Sequence, residues 1–144
     1  MLKLLDPLLN ADLLYALAAM GHGDELAIVD RNFPAASTSR RLIRFDGVDT
    51  QAILRAVLTV LPLDGFVPEP IVRMKIVDDP ATIPQVQRDA VALAERVEGR
   101  PLKIGALERS AFYTRAAEAF ATVATGEERP YGCMLLVKGV VFPE

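Results

Sequence analysis

The chain has 144 residues, a net charge of −3 at pH 7, one histidine and one cysteine. That length makes one ordinary domain, residues 1–144, able to bury roughly 70% of its unfolded surface. The acidic balance, with a pI near 5.2, offers no basic patch to neutralise phosphates and excludes nucleic acid as a partner.

Lone Cys133 cannot close an internal disulfide, which suits a reducing compartment. Met1 to Pro7 is too short and too soon interrupted for a signal peptide. No apolar run approaches the ~20 residues of a bilayer span. The expectation is a soluble cytoplasmic protein with no membrane partner. Mean hydropathy of +0.26 is high for a small monomer and points to apolar surface hidden between subunits.

In chain order, Asn10 reads as the N-cap of a helix with Leu13, Leu14, Leu17 and Ala18 on one face, stopped by Gly21. Next comes Met20-Gly21-His22-Gly23-Asp24-Glu25, followed by Asp30 and Phe33-Pro34-Ala35. Histidine titrates near neutrality, and flanking glycines let the backbone turn sharply and bring a small polar ligand close to the ring. The stretch has the composition of a proton-transfer site. Leu26 to Val29 is a continuous apolar run, as in a strand buried on both faces. Leu42 to Phe45 is a shorter strand ended by Asp46-Gly47. Thr50 or Asp49 caps a second helix with Ile53, Leu54, Val57, Leu58 and Leu61 on one face, closed by Pro62 and the Asp64-Gly65 turn.

Ile71 to Val77 reads as a strand, Gln85 to Val97 as a helix stopped by Gly99, and Leu102 to Leu107 as a strand. Ser110 to Ala119 is helical in character, and the β-branched run Thr122 to Thr125 suits a strand. Met134 to Val141 is the last strand. The alternation predicts an α/β protein, a three-layer α/β/α sandwich with a mixed, mostly parallel sheet of about six strands. Some pairing is antiparallel, because the link from Thr125 to Cys133 is too short for a helical crossover.

The quoted residues also carry a resemblance. The His22 segment, Asp30 with Phe33-Pro34-Ala35, Ile43-Arg44 with Asp46-Gly47, and Leu61-Pro62-Leu63-Asp64 resemble the L-fucose mutarotase branch of the D-ribose pyranase/L-fucose mutarotase family. So do Phe112-Tyr113, Arg115-Ala116, Ala119-Phe120, Val123, Thr125-Gly126-Glu127, Tyr131-Gly132 and Lys138-Gly139-Val140, in order along nearly the whole chain. The resemblance implies a cofactor-free, metal-free enzyme that interconverts the anomers of a free monosaccharide. It implies an α/β/α fold and a ring-shaped homo-oligomer, a decamer, with sugar sites at subunit contacts. It makes His22 the proton donor and has Asp30, Arg109, Tyr113, Tyr131 and position 133 touch the sugar. Asp64 matches a further sugar-contacting carboxylate.

Each of these residues has a structural alternative. His22 can cap the preceding helix, Asp30 can close a strand-end turn, and Arg109 can be a surface residue at a helix start. Tyr113 and Tyr131 can be core aromatics with a satisfied hydroxyl, and Asp64 beside Gly65 divides evenly between turn and site. Asp24 and Glu25 read as structural, Met20 and Met74 as packing. One position departs from the family: Cys133 stands where the family has Asn. A thiol donates and accepts only weakly, which bears on fucose specificity more than on the acid–base chemistry. Two further readings follow: a non-catalytic monosaccharide-binding or regulatory protein linked to sugar uptake, and a D-ribose pyranase. Against the last, ribose-branch members carry a second histidine near the segment that holds Arg109, and this chain has one histidine in all.

Overall fold

The computed structural model describes residues 1–144. Six strands and five helices make up the chain, four of the helices where the sequence places them and one short helix in addition. They are α1 (Ala11–Ala19), β1 (Glu25–Val29), α2 (Ala35–Thr38), β2 (Leu42–Phe45), α3 (Thr50–Leu58), β3 (Ile71–Met74), α4 (Gln85–Glu98), β4 (Ile104–Leu107), α5 (Arg109–Glu118), β5 (Ala121–Thr125) and β6 (Met134–Val137). The strands form one sheet in the order β2-β5-β1-β6-β3-β4. Five strands run in one direction. Only β6 opposes them, pairing antiparallel with β1 on one side and β3 on the other.

The two sheet faces bury different helices, which gives the expected three layers. Leu26, Ile28, Ile71, Val123, Met134 and Leu136 project toward α1, α3 and α4, where Leu13, Leu17, Ile53, Val57, Leu93 and Ala94 meet them. Ala27, Val29, Val72, Met74 and Leu135 project the other way, toward Phe33 ahead of α2, Ala35 in it, and Phe112 and Ala116 of α5. This is the period-two alternation of strands covered on both sides.

The expected caps are present. Asn10 accepts from the Leu13 N–H, Asp49 rather than Thr50 accepts from Ala52, and Gly99 ends α4 in the left-handed conformation at φ +70°. Three strands are shorter than the sequence suggests. The chain leaves β3 at a turn over Ile76–Asp79, with Asp78 at φ +65°. It leaves β6 when Lys138 and Gly139 turn to pair with Leu63 and Pro62. Leu102 stays outside β4, its N–H bound to Glu95 Oε2. The link from β5 to β6 is short, as expected, but it does not close a hairpin. It crosses the end of β1, where Arg31 donates to the Glu127 carbonyl, and sets β6 beyond β1. Gly126 is required on that path, because a Cβ there would collide with the Asp46 carbonyl.

Candidate active site

The candidate residues fall into two groups at opposite ends of β1. At its C-terminal end, five of the seven surround a pocket of about 220 Å³. They are Asp30, Arg109, Tyr113, Tyr131 and Cys133, joined by Asn32, Phe33, Met74 and Pro130. Asp30 follows β1 directly. Its carboxylate accepts from the Asn32 N–H at 3.0 Å, so it closes a strand-end turn and faces the pocket at once. Arg109 opens α5 and stands exposed, its guanidinium 6.0 Å from the centre of the Tyr113 ring one turn on. Phe112 anchors this helix. It is fully buried, edge-on to Phe33 at 6.1 Å, while Phe33 also meets Tyr113 at 5.0 Å.

Tyr131 and Cys133 enter from the β5–β6 link. The Tyr131 hydroxyl accepts from the Val77 N–H at 3.2 Å. The glycine after it faces the interior, not the ligand: a Cβ at Gly132 would sit 2.8 Å from Glu127 Cγ and 3.2 Å from Thr50 Oγ1. Cys133 is buried at the pocket floor, within hydrogen-bond reach of Asp30. Burial, and then the Asp30 charge, push its thiol well above the ordinary range, so it stays protonated.

At the other end of β1, His22 Nε2 lies 2.8 Å from Asp64 Oδ1. Asp64 is fully buried, and its second oxygen accepts from the N–H groups of Phe66 and Val67 at 3.1 and 2.8 Å. Burial alone would push this carboxyl up, yet the bonds from Val67, His22 and Phe66 hold it below the ordinary range. An ionised Asp64 requires a proton on His22 Nε2. Nδ1 is then the nitrogen free to exchange a proton with a ligand. Asp64 therefore stands behind His22, with both oxygens occupied, rather than in the pocket with the other candidates.

Nor does His22 cap α1. Lys138 does, donating through Nζ to the Leu17 and Met20 carbonyls. Its backbone also pairs with Gly23 and Asp24. Gly139 then bonds the Pro62 carbonyl, with no room for a Cβ against Leu63 and Asp64. One two-residue segment thus fastens the His22 turn to the Asp64 turn. Asp24 accepts from the Gly21 N–H at 2.7 Å and Glu25 pairs with Arg115 at 3.0 Å, so both serve the frame, as expected. Half-exposed His22 is flanked by Phe66, ring centres 5.3 Å apart, and Phe66 by Phe142 at 6.5 Å. Phe66, Val141 and Phe142 are all well exposed.

No group of three or more His, Cys, Asp or Glu side chains is placed to hold a metal ion. No helix is long and apolar enough to cross a membrane.

Known proteins similar to this chain identify its lineage. An L-fucose mutarotase of Haemophilus influenzae is 39% identical over 140 residues, 97% of each chain. The crystal structure of the fucose mutarotase of Streptococcus pneumoniae in complex with L-fucose superposes with a TM-score of 0.91 at 40% identity, covering 98% of this chain and 100% of that one. The structure of Bacillus subtilis RbsD complexed with D-ribose shares the fold at a TM-score of 0.75 and 21% identity, covering 99% of this chain and 100% of that one. The model of the RbsD / FucU transport protein family matches residues 3–141, and the chain belongs to that family.

Proposed function

We propose that this protein is a sugar mutarotase, an isomerase that interconverts the α and β anomers of free L-fucose or a close relative by acid–base ring opening and closure. The observation that carries this reading is the His22–Asp64 pair at 2.8 Å. It leaves one imidazole nitrogen free to exchange a proton with a ligand. The relatives named for L-fucose mutarotation support the same substrate.

In the proposed reaction, His22 Nδ1 gives its proton to the ring oxygen as the C1–O5 bond breaks. The anomeric hydroxyl passes its proton to the Asp30 carboxylate. The open-chain aldehyde turns about C1–C2, and closure on its other face returns both protons. No electrons are transferred and no cofactor is called for. Arg109 and Asp30 suit vicinal hydroxyls through charge-assisted hydrogen bonds, and Tyr113 supplies an apolar wall.

Within one chain His22 and Asp30 bracket the five residues of β1, a strand of about 16 Å. One monosaccharide cannot touch both across that length. The reading therefore has a second copy bring His22, backed by Asp64, to the Asp30 pocket. The exposed Phe66, Val141 and Phe142 beside His22 support docking of a copy there. For the assembly that repeats this contact we propose the ring-shaped decamer that the resemblance implies. A cytoplasmic location fits a thiol kept reduced at Cys133.

Cys133 favours a second reading, monosaccharide binding without efficient turnover, because its thiol turns to Asp30 and offers a sugar little. Saturation-transfer NMR on L-fucose, D-ribose and related free sugars separates the readings. Exchange between L-fucose anomers is the expected result. Binding without exchange, or exchange only between ribose ring sizes, would overturn it.

A further inference from the structure

Tyr131 carries a backbone feature that the proposed chemistry does not explain. Its φ is +64°, in the left-handed region. Large side chains rarely adopt that conformation, which costs about 1–3 kcal/mol and persists only where the surroundings hold it. What holds it lies outside the pocket. The Tyr131 carbonyl accepts from Gln87 Nε2 at 2.9 Å, and the same amide nitrogen donates to the Met74 carbonyl at 2.7 Å. Tyr131 and Met74 are both pocket walls. Gln87 is fully buried on α4, a helix that contributes no residue to the pocket.

The other side of the amide is also determined. Gln87 Oε1 accepts from Arg73 Nη1 at 3.3 Å, and Arg73 Nη2 donates to the Pro80 carbonyl at 3.2 Å. Arg73 is only 7% exposed and has no carboxylate partner. A guanidinium only donates and a carbonyl only accepts, so a glutamine between them satisfies all its neighbours in one orientation. Arg73 thus fixes which way the Gln87 amide faces. Burying a cation without a counter-charge is costly, and here the cation keys a hydrogen-bond network rather than pairing with an acid.

We infer that Gln87, oriented by Arg73, is a positioning residue that holds Tyr131 in its left-handed conformation and so keeps the tyrosine ring and hydroxyl at the Asp30 pocket. The functional part of this inference rests on the Asp30 pocket as the sugar site. The structural part does not.

The chain has three tyrosines and no tryptophan, so 3-fluorotyrosine gives three fluorine resonances, assignable by single Tyr→Phe changes. Gln87→Glu keeps the side-chain size and gains an ion pair with Arg73, but it presents oxygens to two carbonyls. The Tyr131 resonance should shift or broaden while that of exposed Tyr15 stays in place. Catalytic efficiency for fucose anomer exchange should fall by about tenfold, mainly through KM. In a Tyr131→Ala background the same change should cost less than about twofold, because neighbours acting through one group are not additive. A purely structural role would leave the penalty equal in both backgrounds.

If Gln87→Glu does not fold, Arg73→Met removes the key while keeping an apolar stem, and the same fluorine shift is expected. An unmoved Tyr131 resonance in the folded variant, or equal penalties in the two backgrounds, overturns the inference. A moved resonance in a protein that exchanges no sugar would sink the sugar reading and leave the positioning role standing.

Discussion

At the scale of single residues, the His22–Asp64 pair makes two substitutions of one histidine differ. Gln at position 22 can still donate to Asp64, whereas Ala leaves a fully buried carboxylate oxygen without its partner. Both variants should lose anomer exchange by about a hundredfold or more, the usual weight of a general acid–base group. Only His22→Ala should also lose stability, by roughly 1–3 kcal/mol in denaturant unfolding. Parental exchange rates in either variant would remove His22 from the chemistry. Cys133→Asn sets an amide beside Asp30 in place of a weakly donating thiol. L-fucose should bind about tenfold more tightly by NMR titration, the gain of roughly one hydrogen bond. Unchanged affinity would mean that only the backbone at 133 meets the sugar. The candidate site was partly legible at this scale. A lone histidine between glycines was readable as local motif, and the resemblance supplied Asp30, Tyr131 and Cys133, which the structure gathers around one pocket. Gln87 and Asn32 were not, and Lys138 was readable as motif but not in its role, because Gln87 and Lys138 act through carbonyls of residues far along the chain. Nor did any local signal say that Asp64 would be spent on His22 rather than on sugar.

Among the elements, the β5–β6 link has the clearest response to acid. Bonds from the Arg129 guanidinium hold the Glu127 carboxyl down, from 4.5 to about 2, against the opposing effect of burial. The Glu127 carboxylate also accepts from the Thr50 N–H at the start of α3. A folded value below the unfolded one means this stabilisation is complete above pH 4.5 and is lost as the pH falls toward about 2. The melting temperature should drop across that window, with Asp64 contributing in the same direction. Glu127→Gln should flatten the drop and cost roughly 2 kcal/mol at neutral pH, discounted for the half-exposed Arg129. A wild-type acid profile in Glu127→Gln would refute this role. Most elements were legible because their apolar spacing is long and their caps are local, as at Asn10, Asp49 and Gly99. The four-residue α2 was missed. It holds little more than a turn of backbone, secured by Ser37 and Thr38 hydroxyls on the Pro34 carbonyl. The ends of β3 and β6 were read too far because apolar residues continue after pairing stops. Val77 and Val141 lie past the last ladder bond, where partners exist only in three dimensions.

For the whole molecule, the split between the two groups of residues predicts dependence on assembly. Light scattering and anomer exchange followed through a dilution series should decline together, and a fully active monomer would exclude a shared site. The sheet itself has one further property. β6 is made after the other five strands of the sheet, yet it lies third from one edge and fourth from the other, between β1 and β3. Without it, β2-β5-β1 and β3-β4 have no ladder in common. A ribosome releases the chain from its N-terminus, so the two half-sheets emerge with bare inner edges and wait for Met134–Val137 to join them. Those edges, of β1 and β3, are built almost wholly from buried apolar residues, the kind that invite pairing with a stranger. The vulnerable interval in the life of this protein is therefore the time between synthesis of its third strand and the arrival of β6.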